Sequence, residues 1–368
     1  MTIFNLFRGT ERRAARRAIE SAELVIALHS CSADTLEFIQ PLAGALKMRR
    51  GRLLMFVGNE YNLPWAPLLE KRRLLRDVAP DYVATQLPLE AGSWLYSDSG
   101  AAVLALPHAL NEAIFRREKQ DEERRIDIGG RSARYPVFVG DDERNRVHEI
   151  FARIGPEAGL VVDIDCTSGG RLDRAGWARF LNDCRATIGT EAGTWYLDRN
   201  DQTVLEIRDF LEEKTQVATL RADGLAHSLS RRLPYGAKES LRKLLAWLPL
   251  RHEVIESATV DFAEIEARFF RDRPRAAVYS KCISSRHFDA AGTGTCQILV
   301  RGRYNDILTA DEHYIALDHD FGNIQAAIER FRDPAERGRI SDAAYSLVRD
   351  CHTYARRVAE LHRVLCAT

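Results

Sequence analysis

A chain of 368 residues, 45% hydrophobic and 29% charged, is too long for one ordinary core and fits two soluble globular domains of roughly 100–200 residues each. Lys plus Arg and Asp plus Glu both number 53, so no global field favours nucleic acid and any basic surface is local. The seven cysteines are odd in number and lack a C-x-x-C pair, which argues against a disulfide frame or zinc site and fits reduced cytosolic thiols.

No apolar run approaches the roughly 18 residues of a membrane span, and residues 1–7 are too short for a signal segment, so a cytoplasmic protein is expected. Residues 11–20 read as a helix with Arg12, Arg13, Arg16 and Arg17 on one side. That side is either a solvated face or a peripheral contact with the inner membrane. Residues 24–28 form a continuous apolar run, the pattern of a buried parallel strand. A helix over 33–48, a strand over 53–57, a helix over 68–76, a strand over 82–85, a helix over 89–96 and a strand over 102–106 follow. Alternation of this kind predicts an α/β fold on a parallel sheet. Ligands of such sheets gather beyond the carboxyl ends of the strands, which puts His29, Glu60 and His108 on the functional rim. Glu60 is a candidate general base or hydroxyl binder for an acceptor, or else an exposed loop residue.

Charge is dense over 112–125, as in an exposed linker, and divides the chain into domains 1–120 and 121–368. The second half opens with a strand ending in Gly129-Gly130-Arg131, a tight turn that places a fixed cation near a cleft. A helix over 143–154 and a strand over 160–165 follow. Asp163-Ile164-Asp165 has the spacing of a metal site but reads as the strand itself, so no metal is expected. After a helix over 177–184, the strand from 186 runs into a polar loop with Glu191 and Gly193. Residues from about 200 to 270 read as a helical insertion. Its amphipathic stripes are Leu205, Ile207, Phe210 and Leu211, then Leu241, Leu244, Leu245 and Trp247.

The most informative stretch is 284–295, a short helix between a Ser pair and Gly294, followed by the apolar strand 296–300. With Ser285 as N-cap, Asp289 and Gly292 share its face, and the free N–H groups at its start suit a phosphate. Ser285 and Arg286 can add hydrogen bonds and charge to that anion, and Asp289 can accept from a ribose diol. Gly292 lets a ligand or neighbouring backbone come close. The alternative is a plain capped helix with Arg286 in solvent.

The run from Arg286 through Phe288, Asp289 and Gly292 to Gly294-Thr295, with 304–308, 312–317 and 320–324 after it, resembles the carboxy-terminal half of bacterial group 1 glycosyltransferases, and most nearly their CgeB-like branch. The resemblance implies a GT-B-like fold, two Rossmann-like domains whose parallel sheets face each other across a cleft, with the insertion in the second. It implies that Ser285, Arg286, Asp289, Gly292 and Thr295 hold the donor nucleotide, with Asp289 where Glu is usual. Arg131 is then the cation facing the donor diphosphate. Glu191 and Gly193 stand where a Glu-x-x-Gly segment lines the donor-sugar end. Residues 107–111, with His108, are similar to the Pro-x-Gly-Val-Asp segment that ends the first domain. The expected activity is transfer of a sugar from a nucleotide-sugar donor to a glycan, lipid-linked or other envelope acceptor. It needs no cofactor or metal and retains anomeric configuration, with Glu60, His108 and Glu191 as candidate catalytic groups. Rival readings are a sugar-nucleotide epimerase or hydrolase, or a non-catalytic interaction module.

Overall fold

The computed structural model describes residues 1–33, 35–64, 66–215 and 260–366. The chain divides into two compact units. Unit 1 takes Met1–Ala105, Pro136–Gly140 and Gly193–Ser280, and unit 2 takes Leu106–Tyr135, Asp141–Ala192 and Lys281–Thr368. The polypeptide therefore passes between units repeatedly, where the sequence reading has one boundary near residue 120.

Unit 1 is built on four strands, β1 (Leu24–Ala27), β2 (Arg52–Phe56), β3 (Tyr82–Thr85) and β4 (Ala102–Ala105), in that order and all parallel. Helix α1 (Gly9–Ser21) turns Ala15 and Ile19 inward and leaves Arg13, Arg16 and Arg17 exposed. Two expectations are corrected here. Strand β1 is the sheet edge rather than a buried strand, and Leu24, Ile26 and Leu28 are 37%, 41% and 54% exposed. The helix expected over 33–48 shrinks to a single 3-10 turn at Gln40–Leu42 and α2 (Ala43–Lys47). Pro41 explains this, because it has no N–H to donate and is tolerated only at a helix start.

Helix α3 (Leu68–Val78) follows Pro67, which provides no side-chain cap. Its first N–H groups are instead taken by Asp201, whose Oδ1 accepts from Leu68 N at 3.2 Å and Oδ2 from Leu69 N at 2.9 Å. Asn62 Nδ2 donates to the same Oδ1 at 2.9 Å. Helix α4 (Leu89–Tyr96) completes the alternation. A separate core of Leu63, Phe138, Ile207, Leu211, Ile265 and Phe270 joins the returning segments to this unit. Helix Gln202–Thr215 supplies Ile207 and Leu211 from the first expected stripe. The second stripe, Leu241, Leu244, Leu245 and Trp247, lies outside the described residues.

Unit 2 carries five parallel strands, β5 (Ile126–Arg131), β6 (Val162–Asp165), β7 (Cys184–Gly189), β8 (Cys296–Val300) and β9 (Ile315–Leu317). Their order in the sheet is β9-β8-β7-β5-β6. Period-two alternation along β8 sends Cys296, Ile298 and Val300 into one core with Phe151 and Phe331. Leu299 goes into the opposite core with Leu181 and Phe288. The helices are α5 (Glu143–Glu157), α6 (Arg174–Asp183), α7 (Ser285–Gly292), α8 (Ile324–Arg332), α9 (Pro334–Cys351) and α10 (Tyr354–Cys366). The supposed exposed linker is partly core. Phe115 is buried, and Arg124, 3% exposed, donates to Leu181 O at 3.1 Å, Cys184 O at 2.6 Å and Thr293 O at 2.7 Å. A buried guanidinium satisfied by carbonyls explains why charge density misleads here.

Candidate anion-binding site

The start of α7 lies beside β7 and β8 in unit 2. Its N-cap is Ser284 rather than Ser285, with extended backbone at φ −102 and ψ 164. Ser284 and His287 form a reciprocal capping box. Ser284 N donates to His287 Nδ1 at 3.0 Å, which leaves the imidazole proton on Nε2, and the ring also bonds the backbone of Thr190. Burial, then the nearby Arg144 charge, push His287 down to about 3, so the ring stays neutral.

Beside this cap stand two guanidinium groups. Arg286 Nη1 donates to Arg131 O at 2.7 Å, and its guanidinium lies 6.0 Å from the Trp177 ring centroid. Arg286 keeps surface open to solvent, yet surrounding atoms and the like charge of Arg144 lower its pKa to about 10. Arg144, from the first turn of α5, stacks 4.0 Å over the Tyr135 ring and reaches Glu191 O at 3.4 Å. Among the described residues neither Arg144 nor Arg286 forms an ion pair. His148 Nδ1 donates to Arg144 O at 2.7 Å, and burial lowers its pKa to about 4. Ser284, Arg286, Arg144, Thr187, Trp177 and Gln297 are among the residues that line one pocket there. Two unpaired cations, neutral imidazoles and the positive end of a helix dipole make this an electropositive hollow for an anion.

The expected residues fare differently. Arg131 lines the pocket, but its guanidinium is already matched. Nη2 contacts Asp163 Oδ1 at 2.7 Å and Oδ2 at 2.8 Å, and the group lies 4.1 Å from the Phe180 ring centroid. Asp163-Ile164-Asp165 belongs to β6, and its first carboxylate is the partner of Arg131. Asp289 is 8% exposed, accepts from Trp177 Nε1 at 3.1 Å, and is raised by burial to about 7. Gly292 faces no ligand space, since a Cβ there would come within 2.2 Å of Leu110 Cδ1 and 2.9 Å of Phe115 O. Thr295, 1% exposed, donates to Leu181 O at 2.7 Å and accepts from Arg124 at 3.0 Å. Both lie at the far end of α7, where the chain packs, and not at its start.

Glu191 is 3% exposed and its Oε1 accepts from Tyr304 N at 2.6 Å. Tyr304, Asn305 and Asp306 all have positive φ, at 47, 55 and 58 degrees, and Asn305 Oδ1 accepts from Ile283 N at 2.7 Å. The carboxylate thus braces a left-handed turn that fixes the approach to α7. Glu60 and Gly193 belong to unit 1. Glu60 is 5% exposed, not a loop residue in solvent; it accepts from Thr85 Oγ1 at 2.5 Å, Tyr96 OH at 2.7 Å and Gln86 N at 2.9 Å. Burial raises its pKa. Gly193 has φ 103, a conformation glycine favours. His108 is half-buried in unit 2.

The sequence reading missed Arg144, His287 and Gln297, and it put the cap at Ser285, one residue late. Gln297 had a visible signal, a polar side chain inside the apolar run Cys296-Gln297-Ile298-Leu299-Val300.

The fold is that of a Rossmann-like α/β protein, with this pocket at the start of a helix. Residues 262–363, which include all of α7, match a family described as glycosyl transferase-like. Among solved structures the chain is similar to HepE (Alr3699) of Anabaena in complex with UDP-glucose, at 9% identity and TM-score 0.48, over 97% of this chain and 82% of that one. It is also similar to sucrose-phosphate synthase of Thermosynechococcus elongatus, at 11% identity and TM-score 0.48, over 96% and 76%. An alpha-glucosyltransferase in complex with UDP-glucose and abasic-site DNA gives 11% identity and TM-score 0.49, over 97% and 83%. No curated protein matches the chain.

Proposed function

We propose that the protein transfers a glycosyl unit from a nucleotide-sugar donor to a glycan or other cell-envelope acceptor, with the donor diphosphate seated at the start of α7. The observation that carries this reading is the pairing of Arg286 and Arg144 on one pocket without a carboxylate partner, beside the capped helix start. The segment around it matches a glycosyl transferase-like family.

Glycosyl transfer needs the leaving diphosphate stabilised as negative charge builds on it. Arg286, Arg144 and the N–H groups following Ser284 supply fixed positive charge at that point, so this reading requires no metal. Burial first, and the like charge of Arg144 second, lower the Arg286 pKa, and an arriving anion would offset both. His148 and His287, both neutral, line the hollow without adding charge that would hold the product. His108 remains a proposed catalytic group, whereas the Glu60 and Glu191 carboxylates are engaged by protein donors and serve the frame. Retention of anomeric configuration belongs to this proposal through the family resemblance alone.

Calorimetric titration with UDP, GDP and CDP, followed by product analysis with the matching nucleotide sugars, tests the reading. Binding of one nucleotide that weakens roughly 10- to 100-fold in Arg286→Ala is expected; no binding by the native chain would overturn the reading.

A further inference from the structure

We infer that Gln297 is a specificity-determining residue at the floor of this pocket, an amide that takes a hydroxyl pair of the ligand's sugar. The inference rests on the donor reading above. Gln297 is 1% exposed, and both Oε1 and Nε2 are buried without a hydrogen-bond partner among the described residues. It sits on β8 in register with Thr187 of β7, and both line the pocket. Thr187 Oγ1 donates its proton to Gly129 O at 2.9 Å, so towards the pocket it can only accept.

An orphaned amide in the middle of a sheet destabilises the protein, and leucine or methionine would fill the same space without that loss. The amide therefore points to a partner from outside the chain. That partner must both donate and accept, because Oε1 needs a proton and Nε2 needs a lone pair. A bare phosphate offers acceptors only and would leave Oε1 unmatched. Several neighbouring atoms are already committed: His287 Nδ1 accepts from Ser284 N, His148 Nδ1 donates to Arg144 O, and Asp289 accepts from Trp177 Nε1. A vicinal diol answers both needs at once, and Thr187 can accept a further hydroxyl proton. Two parts of a nucleotide sugar carry such a diol, the ribose and the transferred sugar.

The test is calorimetry on the native chain and on Gln297→Leu and Gln297→Met, with UDP, glucose 1-phosphate and inorganic pyrophosphate as probes, alongside thermal melting. Both variants are expected to melt higher than the native chain, since the unmatched amide is gone, which also shows that they fold. Affinity for pyrophosphate should stay unchanged while affinity for a sugar-bearing probe drops about tenfold, the scale of one well-made hydrogen bond. A drop confined to UDP assigns the amide to the ribose, and one confined to glucose 1-phosphate assigns it to the transferred sugar. Unchanged affinity for all three probes would mean that Gln297 meets only water, and equal losses including pyrophosphate would mean general damage; either overturns the inference. Failure of the native chain to bind any of the three would instead overturn the donor reading itself.

Discussion

Arg131 gives its guanidinium to Asp163 in a bidentate pair and its carbonyl oxygen to Arg286 Nη1 at 2.7 Å. One residue thus carries two duties, and only the backbone one reaches the pocket's free cation. Replacing the Arg131 side chain should weaken folding while sparing the carbonyl. Replacing Arg286 removes the cation itself. We predict that Arg286→Ala lowers nucleotide affinity roughly 10- to 100-fold, as expected for charge-assisted contacts. Arg131→Ala should cost more in denaturant midpoint than in affinity. The reverse ranking, measured by calorimetry and urea titration, would return Arg131 to the ligand.

The position of the cap is open to a paired test. Ser284 occupies the N-cap and Ser285 is already helical. Ser284→Ala should lower stability by about 1 kcal/mol, and Ser285→Ala by no more than a few tenths, because helical serine carries little weight of its own. Urea unfolding of the two variants resolves the difference.

Asp289 gives a pH signature of defined sign. Its folded pKa, about 7, lies above the ordinary carboxyl value, so the folded state binds the extra proton between the two. The stability it contributes is complete below the unfolded value and is lost as pH rises through about 7. His287 and His148 run the other way, with folded values near 3 and 4, and they destabilise the fold as pH falls below the unfolded histidine value. Asp289→Asn should therefore raise the melting temperature at pH 8 relative to the native chain and change it much less at pH 5. Melting curves across that range check it. A larger gain at pH 5 would contradict the buried carboxyl described here.

At Gly292 the crowding by Leu110 and Phe115 sets the outcome. Gly292→Ala should cost roughly 1–3 kcal/mol through overpacking. A variant that remains folded in mild conditions should bind nucleotide about as well as the native chain. Normal stability with lost affinity would show that ligand, and not packing, occupies that side.

The alternation of strand and helix was legible because parallel strands buried on both faces are long apolar runs, and most of those runs fall within a residue or two of a strand. Leu24 to Leu28 misled for a chemical reason, since an edge strand can carry the same apolar residues with one side uncovered. Arg286 and Ser284 were visible as a helix start, but the fate of each polar group depends on partners far along the chain. Asp163 lies 32 positions from Arg131, and Glu191 lies 113 positions from Tyr304. Local spacing carries no record of such pairs, so Arg131 read as available and Glu191 as catalytic. Arg144 escaped notice because its significance is the missing carboxylate near it, which only three dimensions reveal.

Asp201 caps α3 from 133 residues downstream, and Ile207, Ile265 and Phe270 close the second core of the same unit. The amino-terminal part therefore cannot reach its final state while the ribosome has made only the first half of the protein. Until Asp201 has emerged the α3 amides lack their cap, and until Phe270 has, the core around Leu63 and Phe138 is incomplete. A fragment cut at residue 120 should for that reason be less stable than the same residues within the full chain.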